Sequence, residues 1–309
     1  MKSIPENFWE EGFFLQNSPK TVWIQGTLEF PIDLFLQEAQ RRHAPLPLEW
    51  SGPDKAAFLK TLSELRPEFE TGRLLKAVPV VFEEALLQKS AKPQYCLGAL
   101  SEVPAGCRLY GYWNSQGEGM IGATPELLLE QKSPKHFQSM ALAGTAQNAE
   151  TLKSDPKEQR EHAIVVKDIF EALSPLGRVT LGPTEVMTLP GLNHLRTLID
   201  LETTGKTTAE EIVRALHPTA ALGAYPRDAG RWWLQGQEKT APRWKFGTPF
   251  GGTGPSDQSL FVVAIRNIQW RQGKVRLGAG CGVMRGFDAE REWRELELKR
   301  NTVKKMLGC

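Results

Sequence analysis

From Lys157 to Leu173 the apolar residues Ala163, Val166, Phe170 and Leu173 recur at helical spacing, so KEQREHAIVVKDIFEAL predicts an amphipathic helix. The same period runs through AEEIVRAL. It returns in DAEREWRELELKRNTVKKML, where Trp293, Leu296, Val303 and Leu307 form one stripe and Asp288 is placed to cap the N-terminus. A further helix is predicted over about 53–65, and a short one over FEEALLQ. Strand patterns fill the intervals: TVWIQGTLEF, PLPLEW, RLLKAVPVVF (73–82), SMALAGTA, GRVTLG, EVMTL and LIDLETTG. CRLYGYWN and MIGATPELLLEQ flank the hairpin turn SQGEG, and SLFVVAIRNIQW and KVRLGAGCGVM flank RQGK. Hairpins and long helices alternate without βαβ regularity. That predicts an α+β fold in one large domain, with mostly antiparallel sheets forming a core flanked by helices. No Gly/Ser linker, composition shift or internal repeat divides the chain.

Composition narrows the function classes. Of 309 residues, 40% are hydrophobic and 24% charged, and the formal net charge is +2, so no nucleic-acid partner is implied by charge. No stretch approaches the ~20 apolar residues that a membrane span needs. Charged residues and Pro5 interrupt the first fourteen positions, so no secretory signal is expected. The four cysteines, Cys96, Cys107, Cys281 and Cys309, show neither CxxC spacing nor framework density, which points to a reducing, cytoplasmic location. Cys281, in GAGCGV, reads as a small buried residue beside glycines.

Several residues are not explained by the fold alone. Strand alternation puts Lys76 on one face with Leu74, Val78, Val80 and Phe82, either as an edge residue whose ammonium escapes to water or as a desolvated base. Glu126 heads the apolar run ELLL; it is either exposed at a strand end or buried and suited to donating a proton. Glu158 and Glu161 share one helix face, as do Glu292, Glu295 and Lys299 on another. Such carboxylates make either a solvated, paired surface or the oxygen ligands that Mg²⁺ prefers. Arg266, alone in FVVAIRNI, is a candidate carboxylate binder. ALAGTA and LGAGCG offer backbone N–H groups to an anion. In LHPTAALGAYPRDAG a proline ends a helix, and small residues then allow close approach of the backbone.

In this order, GATPELLL, ALAGTA, KEQREH, LNHL, HPTAALGAYPR, AIR, GAGCGV and EREWRELELK resemble the motifs of the chorismate-utilising enzymes, from about Gly72 to Lys299. That family includes isochorismate synthases, anthranilate and aminodeoxychorismate synthase large subunits, and salicylate synthases. The resemblance implies a catalytic region over 71–309, with 1–70 as a short extension of the same domain. It implies that Lys76 deprotonates the attacking water and that Glu126 protonates the departing C4 hydroxyl. Glu161 and Glu295 correspond to Mg²⁺ ligands, with Glu158 and Glu292 adjoining them; His194, Arg266, Lys299, Gly144, Thr145, Gly278, Ala279 and Gly280 correspond to substrate-holding positions. The resemblance implies that Ala221 borders the substrate ring, where enzymes that go on to eliminate pyruvate tend to carry a hydroxyl residue, and that Leu222 is a further substrate-binding position.

HPT followed by small residues resembles the isochorismate synthases, so the implied activity is reversible Mg²⁺-dependent conversion of chorismate to isochorismate for menaquinone or siderophore synthesis. The alternatives are a salicylate-forming lyase, an aminating synthase subunit and a non-catalytic family member. No obligatory glutaminase partner is expected, and Ala143 stands where aminodeoxychorismate synthases tend to have lysine. The sequence departs from the family at Pro79, Val81, Ala220 and Thr248, in the unusual segment QGQEKTAPRWK, and in a short N-terminal portion. None of these removes a proposed catalytic group.

Overall fold

The computed structural model describes residues 3–100, 102–189 and 191–309. Two antiparallel sheets carry the architecture. The larger has eight strands, in spatial order Leu28–Pro31, Thr21–Ile24, Gly12–Gln16, Arg108–Trp113, Gly119–Thr124, Asn267–Arg271, Lys274–Gly280 and Val80–Leu86. The smaller has six: Gly177–Leu189, Leu192–Thr203, His136–Ala146, Leu127–Ser133, Ser259–Val263 and Pro249–Thr253. The sheets bury a shared layer in which Leu15, Trp23, Tyr110 and Met120 of the first meet Met140, Leu142, Leu260 and Val262 of the second. Helix Pro156–Leu173 covers the outer face of the smaller sheet, and the C-terminal helix Ala289–Leu307 lies on strand Lys274–Gly280 of the larger. This is the α+β, antiparallel, single-domain arrangement that the pattern predicts. Among the described residues no helix is long and apolar enough to cross a membrane.

Five local expectations are corrected. FEEALLQ is no helix: Val80–Leu86 is a strand whose buried positions alternate, because Glu83 is drawn inward to pair with Arg300 and Lys304. RLLKAVPVVF is two pieces, since Pro79 separates the short strand Lys76–Ala77 from Val80–Leu86. PLPLEW forms no strand, and TVWIQGTLEF is a hairpin turning at Gln25 and Gly26, both with positive φ. SLFVVAIRNIQW changes sheets: Ser259–Val263 belongs to the smaller and Asn267–Arg271 to the larger. Three α-helices have no counterpart in the predicted pattern, Ile32–Arg41, Ala149–Ser154 and Arg227–Thr240. The first and last begin directly after a proline, at Pro31 and Pro226, and the short middle one after the Asn148 cap.

Candidate active site

The chain crosses between the sheets at two corners, and each corner carries a polar residue into one cleft. Pro125 and Glu126 link strand Gly119–Thr124 to Leu127–Ser133, while Ala264–Arg266 links Ser259–Val263 to Asn267–Arg271. The corners are tied together: Val263 N–H donates to the Glu126 carbonyl (3.0 Å) and Ala123 N–H to that of Arg266 (3.3 Å). Arg266 adopts φ +53°, a conformation that is costly for a residue with a side chain. Buried Asn267 supports it by donating to Tyr110 Oη (2.7 Å) and to the Ala264 carbonyl (2.9 Å), and Tyr110 Oη donates to the Ile265 carbonyl (2.9 Å).

The cleft encloses about 680 Å³, open mouth included. Glu126 is buried there, and burial, only partly offset by Lys76 and Lys299, pushes its carboxyl up to about 7. His194 is held well below the usual imidazole range by burial and by Arg266, so it is neutral. Its Nδ1–H donates to the Gly144 carbonyl (3.1 Å), leaving Nε2 to accept from Arg266 Nη2 (3.0 Å). Arg266 is thus oriented by a histidine that adds no charge. On the other side Lys299 Nζ donates to the Gly280 carbonyl (2.8 Å) and to Glu295 (2.7 Å). Burial alone would lower its pKa, but the pairing with Glu295 raises it.

Lys76 is fully buried. Its Nζ donates to the Ala220 carbonyl at 2.6 Å and contacts Glu161 Oε1 at 3.3 Å. The loop after helix Ala209–Leu216 makes this possible, because Leu75 and Val78 N–H groups donate to Tyr225 and Gly223, zipping the short lysine strand onto it. The loop is anchored in turn by buried Asp168, which accepts Ala220 N–H (2.8 Å) and a two-point contact from Arg227 (2.6 and 2.9 Å). Arg243 closes the other side by donating to the carbonyls of Leu222 (2.8 Å) and Val78 (2.9 Å).

Four carboxylates gather beside the cleft, on helices Pro156–Leu173 and Ala289–Leu307. Glu158 is committed: Oε2 accepts Thr145 N–H (2.7 Å) and Oε1 accepts Arg291 (2.8 Å). Glu161 lines the cleft, whereas fully buried Glu292 has no hydrogen-bond partner for either oxygen. Among the described residues no three carboxylate, imidazole or thiol groups converge tightly enough to share a metal ion. Mg²⁺ does not require three, since it keeps several waters and takes one or two carboxylates plus an anionic ligand. A hard-oxygen donor set, in which both Glu292 oxygens lack a hydrogen-bond partner and only Lys157 Nζ stands close by charge, fits that ion.

A family model described as chorismate binding enzyme matches residues 29–308. The chain belongs to the chorismate-binding enzymes. Isochorismate synthase MenF of Escherichia coli (strain K12) is 28% identical over 279 residues, covering 86% of this chain and 63% of that protein. The chain therefore spans less than two thirds of that relative's length. A solved structure of a candidate 2,3-dihydroxybenzoate-specific isochorismate synthase, DhbC from Bacillus anthracis, superposes with a TM-score of 0.80 at 22% identity, covering 97% of each chain. Anthranilate synthase component I from Streptococcus pneumoniae superposes with a TM-score of 0.71 at 19% identity, covering 84% of this chain and 60% of that one. At these identities the likeness is one of fold, and that fold carries two differently named activities.

In this chorismate-binding enzyme, Glu126, Gly144, Thr145, Glu161, His194 and Arg266 line the cleft, as do Ala221, Leu222, Gly278, Ala279, Gly280 and Lys299. Lys76, Glu158, Glu292 and Glu295 do not: Lys76 stands one contact behind the wall, against Glu161, and the three glutamates lie in the adjoining acid cluster. His217 lies outside the cleft, and buried Cys281 has its thiol pushed far up by burial, which leaves it unreactive. Sequence reasoning missed Phe246 and Gly282. A Cβ on Gly282 would collide with the Glu161 carboxylate and lie 2.9 Å from Lys76 Cε, so the glycine just before the final valine of GAGCGV makes room for the Lys76–Glu161 contact. Asp168 and Arg227 were also missed, although both lie in segments quoted for other reasons.

Proposed function

We propose that the protein is an Mg²⁺-dependent isochorismate synthase, adding water at C2 of chorismate and expelling the C4 hydroxyl. The observation that carries this reading is one cleft lined by Glu126, whose carboxyl burial pushes up to about 7, with buried Lys76 one contact behind the wall against Glu161. Hydroxide is a poor leaving group and water a poor nucleophile, so the reaction needs an acid and a base on different elements. Glu126, partly protonated near neutrality, donates to the departing oxygen. Lys76 is the base; its contact with Glu161 must lengthen before the amine meets a water beside Ala221. Arg266 and Lys299 hold the two substrate carboxylates, and His194 keeps the guanidinium in place. Bound Mg²⁺, on Glu161 and Glu295, would supply a counter-charge for one carboxylate. The methyl side chain of Ala221 leaves space for the attacking water and provides no hydroxyl at the ring.

The naming of MenF as an isochorismate synthase supports this choice over amination. Incubation with chorismate and Mg²⁺, followed by chromatography, is expected to yield an equilibrium mixture of chorismate and isochorismate without pyruvate. Salicylate with pyruvate, or an aminated product dependent on ammonia, would replace this reading by the corresponding alternative.

A further inference from the structure

Lys157 takes no part in the chemistry above, yet four carboxylates act on its ammonium. It is the second residue of helix Pro156–Leu173, after the Asp155 cap and Pro156. A positive charge in the first turn opposes the helix dipole, so helix formation does not account for it. The acid cluster does. Lys157 Nζ lies 2.9 Å from Glu292 Oε1, 3.3 Å from Glu158 Oε1 and 3.9 Å from Glu161 Oε2. Burial works against the charge, but Glu161, Glu292, Glu158 and Glu295 together keep the amine protonated.

These contacts are ionic without being directional. Neither Nζ nor the two oxygens of fully buried Glu292 has a partner in hydrogen-bond geometry. An ammonium centred among carboxylates by charge alone is doing what a metal cation would do there. The rest of the side chain reaches solvent, with 23% of its surface exposed, so Nζ has a way out.

Resting on the reading of Glu161 and Glu295 as Mg²⁺ ligands, we propose that Lys157 is an internal competitor for the cation: its ammonium neutralises the carboxylate cluster in the metal-free protein and withdraws toward solvent when Mg²⁺ binds. Two cations a few ångströms apart in a partly desolvated site repel strongly, so both cannot occupy it. The lysine keeps the cluster folded without metal and weakens metal affinity in exchange.

The test compares wild type with Lys157→Met, which keeps the length without the charge, and Lys157→Arg, which keeps the charge. Mg²⁺ binding is read by titration calorimetry, and thermal unfolding is followed in chelator. Lys157→Met is expected to bind Mg²⁺ roughly tenfold tighter or more and to melt lower than wild type in chelator; Lys157→Arg is expected to show no tightening. Equal or weaker Mg²⁺ binding by Lys157→Met would overturn the proposal, as would equal tightening in both variants. If Lys157→Met does not stay folded in chelator, its affinity is read from the Mg²⁺ concentration that restores the fold. Restoration only above the wild-type dissociation constant would overturn the proposal, and restoration below it would support it. No Mg²⁺ binding by either wild type or Lys157→Met would remove the metal reading itself, and the proposal with it.

Discussion

Glu126 shows how a single carboxyl acquires its chemistry at the expense of stability. Its pKa in the folded chain, about 7, lies above the ordinary 4.5 because burial penalises the anion. The stabilising contribution of the neutral form is complete below about pH 4.5 and is lost as pH rises through 7. Replacing Glu126 by Gln removes that buried charge, so the variant is expected to be more stable than wild type by up to about 3 kcal/mol at pH 8, with little gain at pH 4.5. The same variant, and Lys76→Ala, are expected to lose roughly 10²–10⁴ in turnover. Denaturant titrations at both pH values and steady-state rates check this; unchanged stability at pH 8 would mean that the carboxyl is not desolvated. The wild-type rate should fall above about pH 7 as Glu126 ionises. Lys76 and Glu126 were legible as anomalies, polar groups in apolar runs, but their burial was not, because alternation predicts a face and not what covers it.

At the scale of elements, the sequence marks periodicity well and changes of partner poorly. SLFVVAIRNIQW is apolar throughout, so nothing in its pattern shows that Arg266 sits at a corner between sheets; a local φ of +53° leaves no trace in hydropathy. FEEALLQ misleads for the opposite reason, since Glu83 counts as polar but is buried by Arg300 and Lys304 from a helix more than two hundred residues away. The loop after helix Ala209–Leu216 was visible as a run of small residues, yet its anchor, Asp168, belongs to another helix. Asp168→Ala leaves Arg227 and Ala220 N–H without their acceptor, and is expected to cost about 3 kcal/mol and to raise KM by loosening Ala221 and Leu222. Thermal unfolding and steady-state kinetics together check it; a loss of stability with KM unchanged would separate the anchor from the site.

The molecule as a whole is a frame that brings five distant segments to one cleft. One sheet supplies Gly278, Ala279 and Gly280 and the other Gly144, Thr145 and His194, while the two crossings between them deliver Glu126 and Arg266. Two helices more than a hundred residues apart in the chain set the carboxylates side by side. Fold and family therefore follow from spaced motifs, whereas in the proposed reaction the choice among water, ammonia and elimination is assigned to a few groups around Lys76, Glu126 and Ala221. The most direct test of that choice is the reaction run in ¹⁸O-labelled water with chorismate and Mg²⁺, with mass analysis of the product. The account predicts isochorismate carrying one solvent oxygen at C2, because the C4 hydroxyl departs and water replaces it from the Lys76 side. An isochorismate without the label, or a product lacking that hydroxyl altogether, would contradict it.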